Sequence, residues 1–138
     1  MSKKLVSLFL VLLMIFSMAT VMAESNTITV TDMFGREVTI EGPVTRIIAL
    51  EPSDCEMLCA IGCEDALVGR GKYCDYPASV LELPAVQSGA NTKLEEILAL
   101  NPQVVVMSDM AHTTEQVEML EQNGIRVIGT DANSIEEV

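Results

Sequence analysis

Val104-Val105-Val106-Met107 offers no polar residue at alternate positions, so a strand made from it has to be buried on both faces. Such a strand belongs in a parallel sheet sandwiched between helices, not in an antiparallel sheet with one face in water. Residues 47–50, 67–69 and 125–129 form three more short apolar runs. Helical stretches separate them: one after Leu50 to about Ile61, one to about Leu100, and one from about Thr114 to Asn123. Residues 70–92 read as a long loop. The expected fold class is α/β, a Rossmann-like parallel sheet with helices on both faces.

A β-hairpin should lead this unit, because residues 27–31 and 36–40 alternate and are β-branched, with Asp32-Met33-Phe34-Gly35 as the turn. Helix starts are marked four times by Ser or Thr with Glu or Gln three places on: Ser53 with Glu56, Thr92 with Glu95, Thr113 with Gln116, and Ser134 with Glu137. Gly62 and Gly124 stand where a left-handed residue would close the first and third helices. The fourth box opens a helix that Val138 cuts short, which reads as a piece of a longer protein.

Residues 1–23 have the layout of an export signal: Lys3 and Lys4, an apolar run from Leu5 to Ile15, and the small-residue exit Val21-Met22-Ala23. Cleavage after Ala23 leaves residues 24–138 as the mature unit, in a periplasmic or otherwise extracytoplasmic compartment. An uncleaved anchor is the alternative. Without Lys3 and Lys4, six basic residues face 20 acidic ones, a net charge of −14. That surface repels phosphate backbones and argues against a nucleic-acid partner.

Export would permit disulfides among Cys55, Cys59, Cys63 and Cys74. The first three recur every four residues and would line one side of a helix with Leu58. Buried small hydrophobes, a bridge such as Cys63 to Cys74, and a soft-metal site are all open on spacing alone. The sequence lacks a P-loop, a G-x-S-x-G elbow and an H-E-x-x-H helix. His112 is its single histidine, and neither Ser53 nor Cys74 has a histidine nearby in sequence to serve as base. An enzyme is disfavoured, and no cofactor or resident metal is called for.

Taken in order, several segments carry a resemblance. They are Thr29-Val30-Thr31-Asp32, Gly35-Arg36-Glu37-Val38, Arg46-Ile47-Ile48-Ala49-Leu50 before Pro52-Ser53, Leu67-Val68-Gly69, Tyr73-Cys74-Asp75-Tyr76-Pro77, and Leu94-Glu95-Glu96-Ile97-Leu98-Ala99-Leu100-Asn101-Pro102. Residues 27–138 resemble the N-terminal lobe of the periplasmic binding proteins for iron-siderophores, haem and cobalamin, which deliver ligand to ABC importers. The resemblance implies two α/β lobes joined by a long helix, with ligand in the cleft between them. It implies a non-catalytic receptor for an iron-siderophore or a cobalamin-like corrinoid, with an ABC transporter permease as partner.

Within this lobe the cleft would be lined by loops at the carboxyl ends of the strands. Ser53 and Asp54 open the helix after the first core strand, where backbone N–H groups could face an anionic group. Tyr73 matches an aromatic position that contacts ligand in the vitamin B12 binders, and Tyr76 follows in the same loop. Gly89 and Asn91 lie in a second cleft loop, where the B12 binders carry a tryptophan in place of Gly89. Met110 completes the rim. Glu95 aligns with the glutamate by which such lobes engage permease arginines, with Glu96 as the alternative. The rival readings are a haem receptor on the same scaffold and an exported thiol or metal-handling protein built on the four cysteines.

Overall fold

The computed structural model describes residues 26–89, 91–108 and 113–131. The export segment, Asp109 to His112 and the box at Ser134 therefore lie outside the described residues. Among the described residues no helix is long and apolar enough to cross a membrane.

Strands β1 (Thr27–Thr31) and β2 (Glu37–Glu41) form the expected antiparallel hairpin, with Val30 opposite Val38 and Thr29 opposite Thr39. The second sheet is wholly parallel. It contains β3 (Ile47–Ala49), β4 (Leu67–Gly71), β5 (Ala85–Val86), β6 (Val104–Met107) and β7 (Arg126–Gly129) in the order β5-β4-β3-β6-β7. Among the described residues three α-helices lie between strands: α1 (Pro52–Ala60), α2 (Leu94–Ala99) and α3 (Thr114–Gln122). The long loop is more structured than expected, since it carries a 3-10 turn at Ala78–Glu82 and the edge strand β5.

Side chains of the central strands divide between two cores, as a pleat requires. Ile47, Ala49, Val104 and Val106 pack with Cys55 of α1 and with Val38 and Ile40 of the hairpin. Ile48, Leu50, Val105 and Met107 pack with Ile97 of α2 and Leu120 of α3. Both faces are covered, but one cover is the hairpin as well as a helix. Burying the apolar strands this way contributes roughly 1.5–3 kcal/mol per fully buried large side chain.

The helix ends follow the sequence more closely than the starts. Gly62 and Gly124 both have positive φ, at 84° and 79°. Each completes a Schellman closure, with Cys63 N–H donating to Leu58 O and Ile125 N–H to Leu120 O. At the starts, the Thr113–Gln116 capping box is formed in both directions. The box at Ser53 is not: Pro52 takes the first helical position, Glu51 becomes the N-cap, and Ser53 lies inside the helix. Nor is the box at Thr92, whose hydroxyl donates to Gly89 O at 2.6 Å while Lys93 caps α2. Cys63 also departs from expectation, because α1 ends before it and the cysteine stripe stops at Cys59.

Asp32 pins the hairpin to the sheet. Its side chain is fully buried and accepts from the N–H groups of Phe34, Arg36 and Gly129 and from the Arg36 guanidinium at 2.7 Å. Met33 N–H adds a backbone bond to Gly129 O. Burial pushes the Asp32 carboxyl up, but the bonds from Arg36 and Gly129 and the Arg36 charge outweigh it and hold the group below its ordinary value. Its stabilisation is present above the unfolded-state pKa and is lost as pH falls through the lower folded value. Asp32→Ala should cost about 3 kcal/mol, since it leaves buried N–H groups and a guanidinium without their acceptor. Urea unfolding of the full chain at pH 7 measures this; a loss under about 1 kcal/mol would mean that the clamp contributes little.

Candidate functional site

All five core strands run in one direction, so everything that follows them emerges at one edge of the sheet. The chain steps outward from β3 to β4 to β5, then crosses back to place β6 on the other side of β3. The connections therefore diverge between β3 and β6, and the crevice outside the carboxyl ends at such a reversal is where open α/β sheets hold ligands.

Ser53 and Asp54 open α1 directly above this reversal. Ser53 is exposed, whereas Asp54 is only 3% exposed and its Oδ2 has no hydrogen-bond partner. Burial pushes the Asp54 carboxyl up, Thr130 after β7 partly offsets this, and the neighbouring Glu51 pushes it further, to about 6. Burial also raises Glu51. Two carboxyl groups thus share the first turn of α1. The sequence marked Asp54 but not its burial; only the return of β6 and β7 beside β3 creates it.

Tyr73 and Tyr76 stand in the loop after β4 and are 66% and 65% exposed. The loop beneath them is fastened by Arg70, whose guanidinium donates to the carbonyls of Gly71, Lys72 and Cys74. Sequence reading passed over Arg70, since nothing local distinguishes an arginine that folds back on its own turn. Gly71 packs so close to Leu50 O that a Cβ there would strike it. Gly89, with φ of 87°, and the exposed Asn91 follow β5 on the same edge. Met110 lies outside the described residues.

Glu95 and Glu96 both occupy the first turn of α2 but differ in freedom. Glu96 accepts from Gln87 N–H at 3.0 Å and pairs with Lys93 at 3.4 Å, and the Gln87 bond and Lys93 hold its carboxyl below the ordinary value despite some desolvation. Glu95 is exposed and is not engaged by the expected cap with Thr92.

Cys55 and Cys74 are fully buried and all four cysteines are free thiols. Burial pushes the Cys55 thiol up to about 12 and also raises Cys59 and Cys74. No group of three or more potential ligands among the described residues could hold a metal ion. An open groove of about 550 Å³ lies at the opposite edge of the sheet, lined by Ile40, Arg46, Gln103 and Arg126 among others. Arg46 there is committed to the carbonyls of Leu100 and Asn101 at the end of α2, so the groove is a seam between hairpin and helix.

Asp54 generates a pH dependence. A carboxyl raised by folding stabilises most below its unfolded pKa, and that contribution is lost as pH rises through the folded value. Stability should fall by about 3 kcal/mol between roughly pH 4 and pH 6 on this account. In Asp54→Asn that fall should vanish, leaving the variant at least as stable as the parent at pH 7.5. Urea midpoints of both chains across this range test it; equal pH profiles would show that Asp54 is solvated.

A family model described as "Periplasmic binding protein" matches residues 47–137. The vitamin B12-binding protein of Vibrio campbellii is 33% identical over 95 residues, 69% of this chain and 34% of that protein. The one from Salmonella choleraesuis is 34% identical over 93 residues, again 34% of its length. Among solved structures, the periplasmic vitamin B12 binding protein BtuF of Vibrio cholerae superimposes with a TM-score of 0.63 at 30% identity, over 70% of this chain and 38% of that one. A periplasmic haem-binding protein from Pseudomonas aeruginosa gives 0.64 at 26% identity, over 69% of this chain and 34% of that one. The chain thus spans about a third of the relatives that it matches. With its parallel sheet, leading hairpin and rim of loops at one edge, it belongs to the periplasmic binding protein family, of which it forms one lobe.

Proposed function

We propose that this chain supplies one wall of the cleft of an exported receptor, which captures a metal chelate and hands it to the permease of an ABC importer. Residues 1–23 are its export signal, and residues 24–138 its N-terminal lobe. The observation that carries the reading is the pair of exposed tyrosines on the same edge as the turn at Ser53 and Asp54. Exposed aromatic rings on a fastened loop offer flat apolar area at little ordering cost, which suits a macrocycle or an aromatic chelator. Gly89 and Asn91 complete the rim, and Met110 is a further contact of this reading.

The carboxyls of Glu51 and Asp54 favour one ligand chemistry over another. They would repel a chelate that presents carboxylates at this turn, such as the propionates of haem, and would accept from amide N–H groups on the rim of a corrinoid. The names of the relatives support the same class, since several are vitamin B12-binding proteins. An iron-siderophore with amide or ammonium donors would satisfy the same turn. Haem is the second reading, supported by the similarity to the haem-binding protein of Pseudomonas aeruginosa. The thiol-handling reading has little support, because the buried, raised cysteines lack thiolate character.

Glu95 is the docking carboxylate of this reading and Glu96 the one that holds the Gln87 loop. Charge on an exposed glutamate can steer and orient a guanidinium-bearing partner without any change in the lobe.

Titration of the full chain with cyanocobalamin, haem and a ferric hydroxamate, followed by absorbance and equilibrium dialysis, tests the ligand class. Retention of the corrinoid above haem is expected, and Tyr73→Ala with Tyr76→Ala should weaken it about tenfold, roughly 1.4 kcal/mol. Equal retention of all three, or no effect of the tyrosines, would overturn the assignment.

A further inference from the structure

We propose that Cys55 and Cys74 form a disulfide when the chain folds in the presence of a disulfide donor, cross-linking the start of α1 to the loop that carries Tyr73 and Tyr76. The two residues are far apart in sequence, but the sheet brings them together. β3 and β4 are parallel neighbours, with Ala49 opposite Arg70. α1 begins three residues beyond Ala49, and Cys74 ends the turn that follows Gly71, its N–H bonded to Gly71 O at 3.1 Å.

Both side chains enter the same core and both are fully buried, and the Cys55 thiol has the thiols of Cys74 and Cys59 as its neighbours. The Cys74 thiol also points to Ala49 O at 3.8 Å, back across β3 towards α1. The other pairings are worse. Cys55 and Cys59 are i and i+4 on one helix, where Cβ atoms stand about 5–6 Å apart, against about 3.5–4.5 Å in a disulfide. Cys63, whose N–H makes the Schellman closure of α1, is only partly buried and lies away from the shared core. The bridge between Cys63 and Cys74 that spacing left open is therefore replaced by one between Cys55 and Cys74.

The chemistry is thiol–disulfide exchange. One cysteine thiolate attacks a small disulfide such as oxidised glutathione, releasing one glutathione thiol and leaving a mixed disulfide. The second cysteine displaces the other glutathione, so two protein thiols are oxidised and one donor disulfide becomes two thiols. The buried, reduced pair of the folded chain is poorly ionised, so the exchange belongs to folding or to opening of the loop after β4. The cross-link itself does not depend on the ligand; its benefit, holding Tyr73 and Tyr76 against the Ser53 turn, rests on the proposed function.

The full chain, reduced and unfolded, is refolded in mixed reduced and oxidised glutathione, alkylated, and mapped by proteolysis and mass spectrometry. The expected product has lost two hydrogens, contains a peptide linking Cys55 to Cys74, and carries alkyl groups on Cys59 and Cys63. Its urea midpoint should fall on reduction, and C59S and C63S should leave the linked peptide in place. Alkylation of all four cysteines after oxidative refolding, or a linked peptide containing Cys59 or Cys63, overturns the proposal. The cyanocobalamin titration separates the two ideas: a cross-linked chain that ignores every chelate sinks only the ligand reading, and a binding chain with four free thiols sinks only the disulfide.

Discussion

The central strands β3 and β6 have to be covered on both faces, and this requirement organises the molecule. Val104 and Val106 look one way, Val105 and Met107 the other, and all four are buried. A parallel sheet of this kind cannot use hairpins between neighbours, so each connection must climb over a face. With right-handed crossovers the covers follow, and with one strand direction all the connecting turns above the sheet share one edge. The placement of the candidate site is thus a consequence of the core.

The cover is not symmetrical. One face receives α2 and α3, while the other receives α1 and then runs short of helix. The hairpin fills that gap with Val38 and Ile40, the inward residues of β2, while β1 stays outside. A two-stranded hairpin is marginal by itself in water. It holds here because Asp32 couples its turn to Gly129 at the far edge of the sheet, and because Phe34 packs where Gly129 has no side chain. A single buried carboxylate therefore serves both the hairpin turn and its docking.

Much of this was legible before the structure. The unalternating runs gave a parallel sheet, the alternating ones a hairpin, and Gly62 and Gly124 the two helix ends, because each of these rests on local chemistry acting on adjacent residues. The failures are competitions that the pattern could not rank. At Ser53 the ring of Pro52 claims the first helical position and shifts the cap back to Glu51; at Thr92 the hydroxyl finds Gly89 O before it finds a helix N–H. β5 is two residues long and exists only because β4 offers it an edge, so no run announces it. In the site, Tyr73 and Tyr76 are exposed and Arg70 folds back on its own turn, which are local matters, whereas the burial of Asp54 and the entry of Cys55 and Cys74 into one core arise from chain segments that only the fold brings together.

The rim is held by side chains that bond its own backbone. Arg70 binds three carbonyls of the turn that presents Tyr73, Thr92 binds Gly89 O, and Glu96 accepts from Gln87 N–H, so three successive elements beyond β4 and β5 are tied before any ligand arrives. Such ties lower the ordering cost of binding, because the loop entropy has been lost in folding. They also explain why the polar groups nearest the sheet are spent on structure. What stays open is the pair of exposed rings, Tyr73 with the Lys72 ammonium over it, and one oxygen of Asp54, Oδ2, which has no hydrogen-bond partner; an apolar surface beside such an acceptor is what the proposed ligand, flat with hydrogen-bond donors at its edge, would need.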